Sequence, residues 1–174
     1  MKLPKGIREI KRIILSEKTG DWCQIPYPGH PKGCPNYNYY KTADRCPPRA
    51  PHITTVMDFK QPIYIVYSEF DLESDIERRK KNWPTATEKQ LRCVLYWQET
   101  SRKQMRDRVK IAKYMTGANV STSCPEGMGV NVYATCLKNG LKLEKIRHLK
   151  ICHHVALVGY KPNQPLQATC SAGP

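Results

Sequence analysis

Three cysteines, Cys23, Cys34 and Cys46, fall in the first third of a 174-residue chain, with ten and eleven residues between them, and Cys124 follows far downstream. Three of these four are followed directly by proline, in Cys34-Pro35, Cys46-Pro47-Pro48 and Cys124-Pro125. Proline after a ligating cysteine removes a backbone donor and stiffens the turn that leaves the site. The ferredoxin-type run also ends in Cys-Pro. The spacing is not the paired C-x₂-C of a zinc ribbon. Four thiolates drawn from separate loops suit a 4Fe–4S iron–sulfur cluster, with an irregularly spaced zinc site as the alternative. The expected metal ligands are therefore Cys23, Cys34, Cys46 and Cys124. Cys124 is placed where a strand hands over to a helix beginning near Gly127, and the positive end of that helix would favour the thiolate.

The chain has eight cysteines in all. Cys93, between Leu91 and Leu95 on a helical pattern, reads as core, and so does Cys136 in mid-helix. Free cysteine is among the most buried residue types. Cys152 stands beside His153 and His154, a trio able to ligate a metal but lacking an evident partner. Cys170 falls in a loose tail. His30, between Gly29 and Pro31, reads as a turn residue, as does Asp44, two positions before Cys46. Tyr37, Tyr39 and Tyr40 sit among Lys32, Lys41 and Arg45. Such interleaving can hold single-stranded nucleic acid, but the favoured reading is that the rings shield the centre and pack the loop. Phosphate-binding loops, dinucleotide fingerprints, nucleophile elbows, HExxH and the C-x₃-C-x₂-C spacing are all absent from the sequence.

Gly33-Cys34-Pro35-Asn36-Tyr37 followed by Cys46-Pro47-Pro48 resembles the signature of a family of small cysteine-rich proteins catalogued only as predicted metal-binding. Cys124-Pro125-Glu126-Gly127-Met128-Gly129-Val130-Asn131-Val132 resembles that family's late Cys-Pro segment, which leads into a helix. The resemblance runs from about Trp22 to Gly140 and rests on these two motifs. It implies an α/β fold in which cysteines from both ends of the segment meet at one metal centre, iron–sulfur in character. It implies no reaction. The chain departs from the family pattern in having Asn38 after Tyr37 and a longer gap between the first two cysteines, which leaves Cys23 the least secure ligand.

Positioning these residues requires a scaffold. The expected organisation is one domain over residues 1–174, with a basic helical arm at 1–18, where Ile7, Ile10, Ile13 and Ile14 follow helical spacing. A Pro- and Cys-rich metal-binding loop covers 19–62, and a loop that long needs something to order it. An α/β body covers 63–162 and a loose tail 163–174. Ile63 to Tyr67 reads as a strand. Ser68 to Asn82 reads as a helix, and Thr85 to Met115 as one long helix opened by a Thr87–Gln90 cap. That helix carries Leu91, Leu95, Met105, Val109 and Ala112 on its apolar stripe, and Arg92, Arg102, Lys103, Arg106, Arg108, Lys110 and Lys113 opposite. Asn119 to Ser123 reads as a strand, Gly127 to Asn139 as a helix, and Leu141 to Lys145 and Val155 to Tyr160 as strands. The fold class expected is α/β, a small sandwich with a mixed, partly parallel sheet.

The 29 Lys and Arg against 15 Asp and Glu give a net charge of +14. A basic surface attracts polyanions, so nucleic acid is a candidate partner. No run approaches the roughly 20 apolar residues of a membrane span, and the first residues lack the apolar core of a secretion signal. A cytoplasmic location is expected, where cysteines serve as ligands rather than disulfides. Three functions follow in order: a cluster protein for electron transfer or sensing, docking on a redox partner or larger assembly; a cluster-dependent enzyme moving sulfur to or from a nucleobase or small molecule; and a zinc-stabilised nucleic-acid-binding subunit.

Overall fold

The computed structural model describes residues 3–27, 29–42, 45–144 and 149–162. The run Ile63-Tyr-Ile-Val-Tyr67 forms strand β2, and all five of its residues are buried. A strand apolar on every position must be covered on both faces, and the fold meets that demand. β2 is central to a four-stranded sheet in the order β1, β2, β6, β4, where β1 is Ile7–Ile10, β4 is Val120–Thr122 and β6 is Val155–Gly159. A two-stranded ribbon pairs β3 (Phe70–Asp71) with β5 (Ile151–Cys152).

Helices and sheet coexist as expected, but the partly parallel sheet is corrected: every strand pair is antiparallel. β2 and β4 do run the same way, since each is antiparallel to β6. They do not pair because β6 lies between them.

The helical arm at 1–18 is also corrected. Ile7 pairs with Val66 and Ile10 with Ile63, so this segment is an edge strand. A spacing of three puts two residues on one side of a helix but on opposite faces of a strand. Here both faces are covered, so Ile7 packs with the Tyr64, Val66, Met105 and Val158 layer, and Ile10 with the Ile53, Ile65, Val130 and Leu157 layer.

The first layer is closed by helix α4 (Gln98–Thr116), which ends at Gly117 in the left-handed conformation (φ 73°). The second is closed by α1 (Ile53–Val56) and α5 (Val132–Lys138). The long helix expected from Thr85 is broken. The Thr87–Gln90 capping box is present and starts α3 (Glu88–Leu91), but the chain turns at Cys93 and continues through a 3-10 turn, Val94–Tyr96. Val94, Tyr96 and Trp97 are β-branched or aromatic and lose side-chain freedom in a helix. The break turns Trp97 inward (4% exposed) and puts Leu95 outside (69%), reversing its place on the expected stripe. Arg108 also leaves the expected solvent face: its Nη1 donates to the Tyr67 carbonyl at 2.6 Å.

Helix α2 (Leu72–Asn82) starts later than Ser68 because β3 intervenes, and Asp71 caps it by accepting from the Ser74 N–H. With α3 and β5 it encloses a third apolar cluster, Leu72, Ile76, Leu91, Val94, Trp97 and Leu149. Residues 141–144 form no strand; Leu141 and Leu143 pack on the core instead. Lys145, Asp44, Cys170 and the tail 163–174 lie outside the described residues.

Candidate metal centre

The segment expected to be one long loop is broken by short helical turns, and each cysteine of the expected set leaves one of these turns or the sheet. Cys23 lies near the end of a 3-10 helix, Glu17–Gln24, anchored by the fully buried Thr19, whose hydroxyl donates to the Ser16 carbonyl. The Cys34 N–H donates to the Cys23 carbonyl at 2.6 Å. Between them in space stands Gly33 (φ +81°), where a Cβ would lie 2.5 Å from that same carbonyl oxygen. Only glycine permits both the backbone conformation and the approach. The Cys34 turn is joined to the Cys46 turn by the Asn38 N–H, which donates to the Pro47 carbonyl at 2.8 Å. Cys46 is buried and its carbonyl accepts from the Ala50 N–H.

Cys124 arrives from the other side of the sequence, two residues past β4. Its loop meets the Cys46 loop at Gly127, where a Cβ would stand 2.9 Å from both the Arg45 carbonyl oxygen and Pro47 Cδ. Two glycines thus set two junctions, Gly33 between Cys23 and Cys34, and Gly127 between Cys46 and Cys124.

All four side chains line one cavity of about 400 Å³. Burial pushes the Cys23 thiol up to about 11, with Cys34, Glu126 and Cys46 adding to the shift. Burial pushes Cys124 up to about 12, and the adjacent Cys46 and Glu126 contribute in the same direction. The expected help from a helix N-terminus is absent: a three-residue 3-10 turn, Glu126–Met128, follows Cys124, and Gly129 (φ +91°) separates it from α5. The Cys23 and Cys124 thiols are therefore neutral, and a bound cation would have to displace their protons. Among the described residues, no three His, Cys, Asp or Glu side chains are gathered closely enough to enclose a single metal ion.

The remaining cysteines separate cleanly. Cys136 is fully buried in the main core. Cys93 is only half-buried, because the helix breaks there, and its sulfur lies 3.1 Å from where a Cβ on Gly29 would stand. His30 closes a tight turn with Tyr27, its N–H donating to the Tyr27 carbonyl at 2.8 Å. Tyr39 and Tyr40 are exposed at 41% and 66%, with Lys41 over the Tyr40 ring, so they do not shield the cavity. The rings that do line it are Trp22, Tyr27, Trp97 and Tyr133.

Cys152, His153 and His154 line the same cavity as the four other cysteines. Cys152 is buried, with its sulfur 3.8 Å from both Ser101 Oγ and His154 Nδ1. Sequence reasoning missed Glu126, Tyr27 and Arg102, all of which also line the cavity. Burial raises the Glu126 carboxyl to about 7, and it forms no ion pair among the described residues. Its place two residues after Cys124 was the one available signal. Arg102 lay hidden among the six other cations assigned to the same helix face.

Compared with known proteins, the chain matches no family model, no curated protein and no solved structure.

Proposed function

We propose that Cys23, Cys34, Cys46 and Cys124 hold an iron–sulfur cluster, of the 4Fe–4S type, that serves electron transfer or sensing. The observation that carries this reading is that four thiols, from three turns and the end of a strand, line a single cavity. The resemblance of the two Cys-Pro segments to small metal-binding proteins points the same way. Cys₄ ligation is the ordinary donor set of a 4Fe–4S cluster. A cluster is larger than a single ion and spreads its thiolates further apart, which suits thiols that face one cavity without closing into a single-ion cage. When bound, the cluster would supply one-electron chemistry. The chain would supply the thiolates and tie the cysteine-rich turns to the sheet.

The same cavity favours a second reading, a cluster-dependent enzyme. If Cys23 did not ligate, the position it leaves would belong to a cavity that Arg102, His153 and His154 also line.

Anaerobic purification followed by iron, zinc and acid-labile sulfide analysis tests the proposal. Brown protein with iron and sulfide in matching amounts is expected, and Cys46→Ser should lose both. Colourless protein carrying stoichiometric zinc would overturn the cluster in favour of a structural site, the form in which the nucleic-acid-binding role was expected. Retention of the cluster in Cys23→Ala would select the enzyme reading over electron transfer.

A further inference from the structure

Beyond the cysteines the cavity is also lined by polar side chains, Arg102, His153 and His154 among them. Arg102 on α4 lines it and makes no hydrogen bond or ion pair among the described residues. The neighbouring Glu99 is turned to Arg106 instead. Arg102 lies close enough to Tyr27 and to His154 for its charge to act on both. Tyr27 in turn lies close to Cys34 and Cys23. All of these side chains line the same cavity.

The proton on His154 can be placed by elimination. Ser68 is fully buried and its hydroxyl oxygen accepts from the His154 backbone N–H at 2.7 Å. The Ser68 O–H then has one acceptor within reach, Ser101 Oγ at 2.8 Å. Ser101, with its oxygen engaged, donates its own proton to His154 Nδ1 at 2.8 Å rather than to the weaker and more distant Cys152 sulfur at 3.8 Å. His154 is therefore an imidazole whose proton sits on Nε2, and that N–H has no partner among the described residues. Burial and the charge of Arg102 keep the ring neutral. Beside it, His153 Nδ1 is buried without a partner. Arg102 and His154 line one cavity, together with Glu126 and with Glu144, whose carboxylate accepts from the Lys150 N–H; a guanidinium fork and a fixed N–H donor lining one cavity can act together on an acceptor. Flat rings, Trp97, Tyr27 and Tyr133, also line it, and the cavity of about 400 Å³, its cysteine end included, falls in the range of small-molecule sites.

We propose that this cavity binds a small organic anion with a flat apolar body, its carboxylate or phosphate held by Arg102 and His154 and its body lying among Trp97, Tyr27 and Tyr133. None of the holding groups is a proposed metal ligand, so the site stands or falls separately from the cluster.

Fluorine NMR of 4-fluorobenzoate and of the neutral 4-fluorobenzamide, each titrated into the anaerobically purified full chain, tests the proposal. The benzoate should bind, the benzamide should bind markedly less, and Arg102→Gln should weaken the benzoate by about tenfold or more while leaving the benzamide, the metal content and the thermal midpoint unchanged. Arg102→Lys, which keeps the charge but not the fork, should fall between. 4-Fluorophenyl phosphate binding more tightly than 4-fluorobenzoate would assign the charged group as phosphate, and the reverse would assign it as carboxylate. No binding of either anion, equal binding of the amide, or loss of metal in Arg102→Gln with anion affinity intact would each overturn it. The last result would make Arg102 a counter-charge for the cysteine centre. The metal analysis above reads the cluster alone, so failure of the cluster and failure of the anion site are distinguishable.

Discussion

At Gly127 one missing side-chain atom lets two cysteine loops meet. Added there, a methyl group would press on the Arg45 carbonyl and Pro47 Cδ, both at 2.9 Å. Because one of these is backbone and the other a proline ring, neither yields easily. Gly127→Ala should lower stability by about 1–3 kcal/mol, the usual effect of overpacking, and should separate Cys46 from Cys124. Metal content and thermal midpoint measured on the same preparation would check it; a fall in midpoint with full metal loading would show that the two loops are not coupled through this contact. Titration makes a second residue-scale argument. Burial, then Arg102, depress the His154 pKa to about 4, while Glu99 opposes them weakly; the other groups against its ring, Ser101 and the raised thiol of Cys152, stay neutral. In the unfolded chain the ring titrates at the ordinary histidine value. Between that value and about 4 the unfolded state binds more protons, so stability is full above neutrality and falls as the pH drops. The loss attributable to His154 should reach about 3 kcal/mol. Denaturant midpoints at pH 7 and pH 4.5 should differ, and His154→Gln should flatten that difference.

Among the elements, α5 is the piece that carries the Cys124 loop into the core. It is seven residues long, too short to hold itself together, and Asn131 caps it by accepting from the Ala134 N–H at 2.9 Å. Its start is also tied to the first strand's extension, since the Asn131 N–H donates to the Ile14 carbonyl. Asn131→Ala should cost about 1 kcal/mol, while Asn131→Asp, which keeps the acceptor, should cost little. Circular dichroism melts of the two variants would separate capping from general packing. The elements also show what the residues alone could and could not say. β2 was legible because five β-branched and aromatic residues in a row leave few alternatives. The capping box at Thr87 was legible because it is local. The edge strand at Ile7–Ile10 was not, because its partner is more than fifty positions away and its isoleucines fit a helical period equally well. The break at Cys93 was not, because it depends on where Trp97 finds a cavity wall to complete. Convergence of Cys124 on the early cysteines was expected from residue type and Cys-Pro pattern, whereas Arg102 and His154 owe their relation to packing across the ribbon and α4.

For the molecule as a whole, the sheet and the cysteine-rich turns are stabilised by different means. The sheet buries continuous apolar faces on both sides. The described residues between 17 and 50 contribute few buried apolar side chains, Cys46 among them, and are joined mainly by backbone hydrogen bonds and glycine contacts. A metal bound at the four thiols would therefore stabilise this region far more than the sheet. Chelation should produce protease cleavage between residues 23 and 46 while β-sheet circular dichroism persists; cleavage elsewhere first, or loss of the sheet, would contradict it. Of the cations on α4, several are engaged at short range: Lys103 and Lys110 with Asp107, Arg106 with Glu99, and Arg108 with the Tyr67 carbonyl. The net charge of +14 still makes polyanion binding a proposal worth a direct test. If RNA binds, its affinity should fall steeply as salt rises, since each phosphate neutralised releases counterions. No helix among the described residues is long and apolar enough to cross a membrane.

The strand order has one further consequence, for biogenesis. β6 follows every other strand in sequence yet lies between β2 and β4. A nascent chain that has not yet released Val155 holds β2 and β4 with no strand to join them in the sheet. Such non-local closure is intrinsically slow. If the four thiols hold a metal, the sheet that carries the Cys124 loop is complete only once β6 has been released, and until then the early cysteines would face an unfinished scaffold.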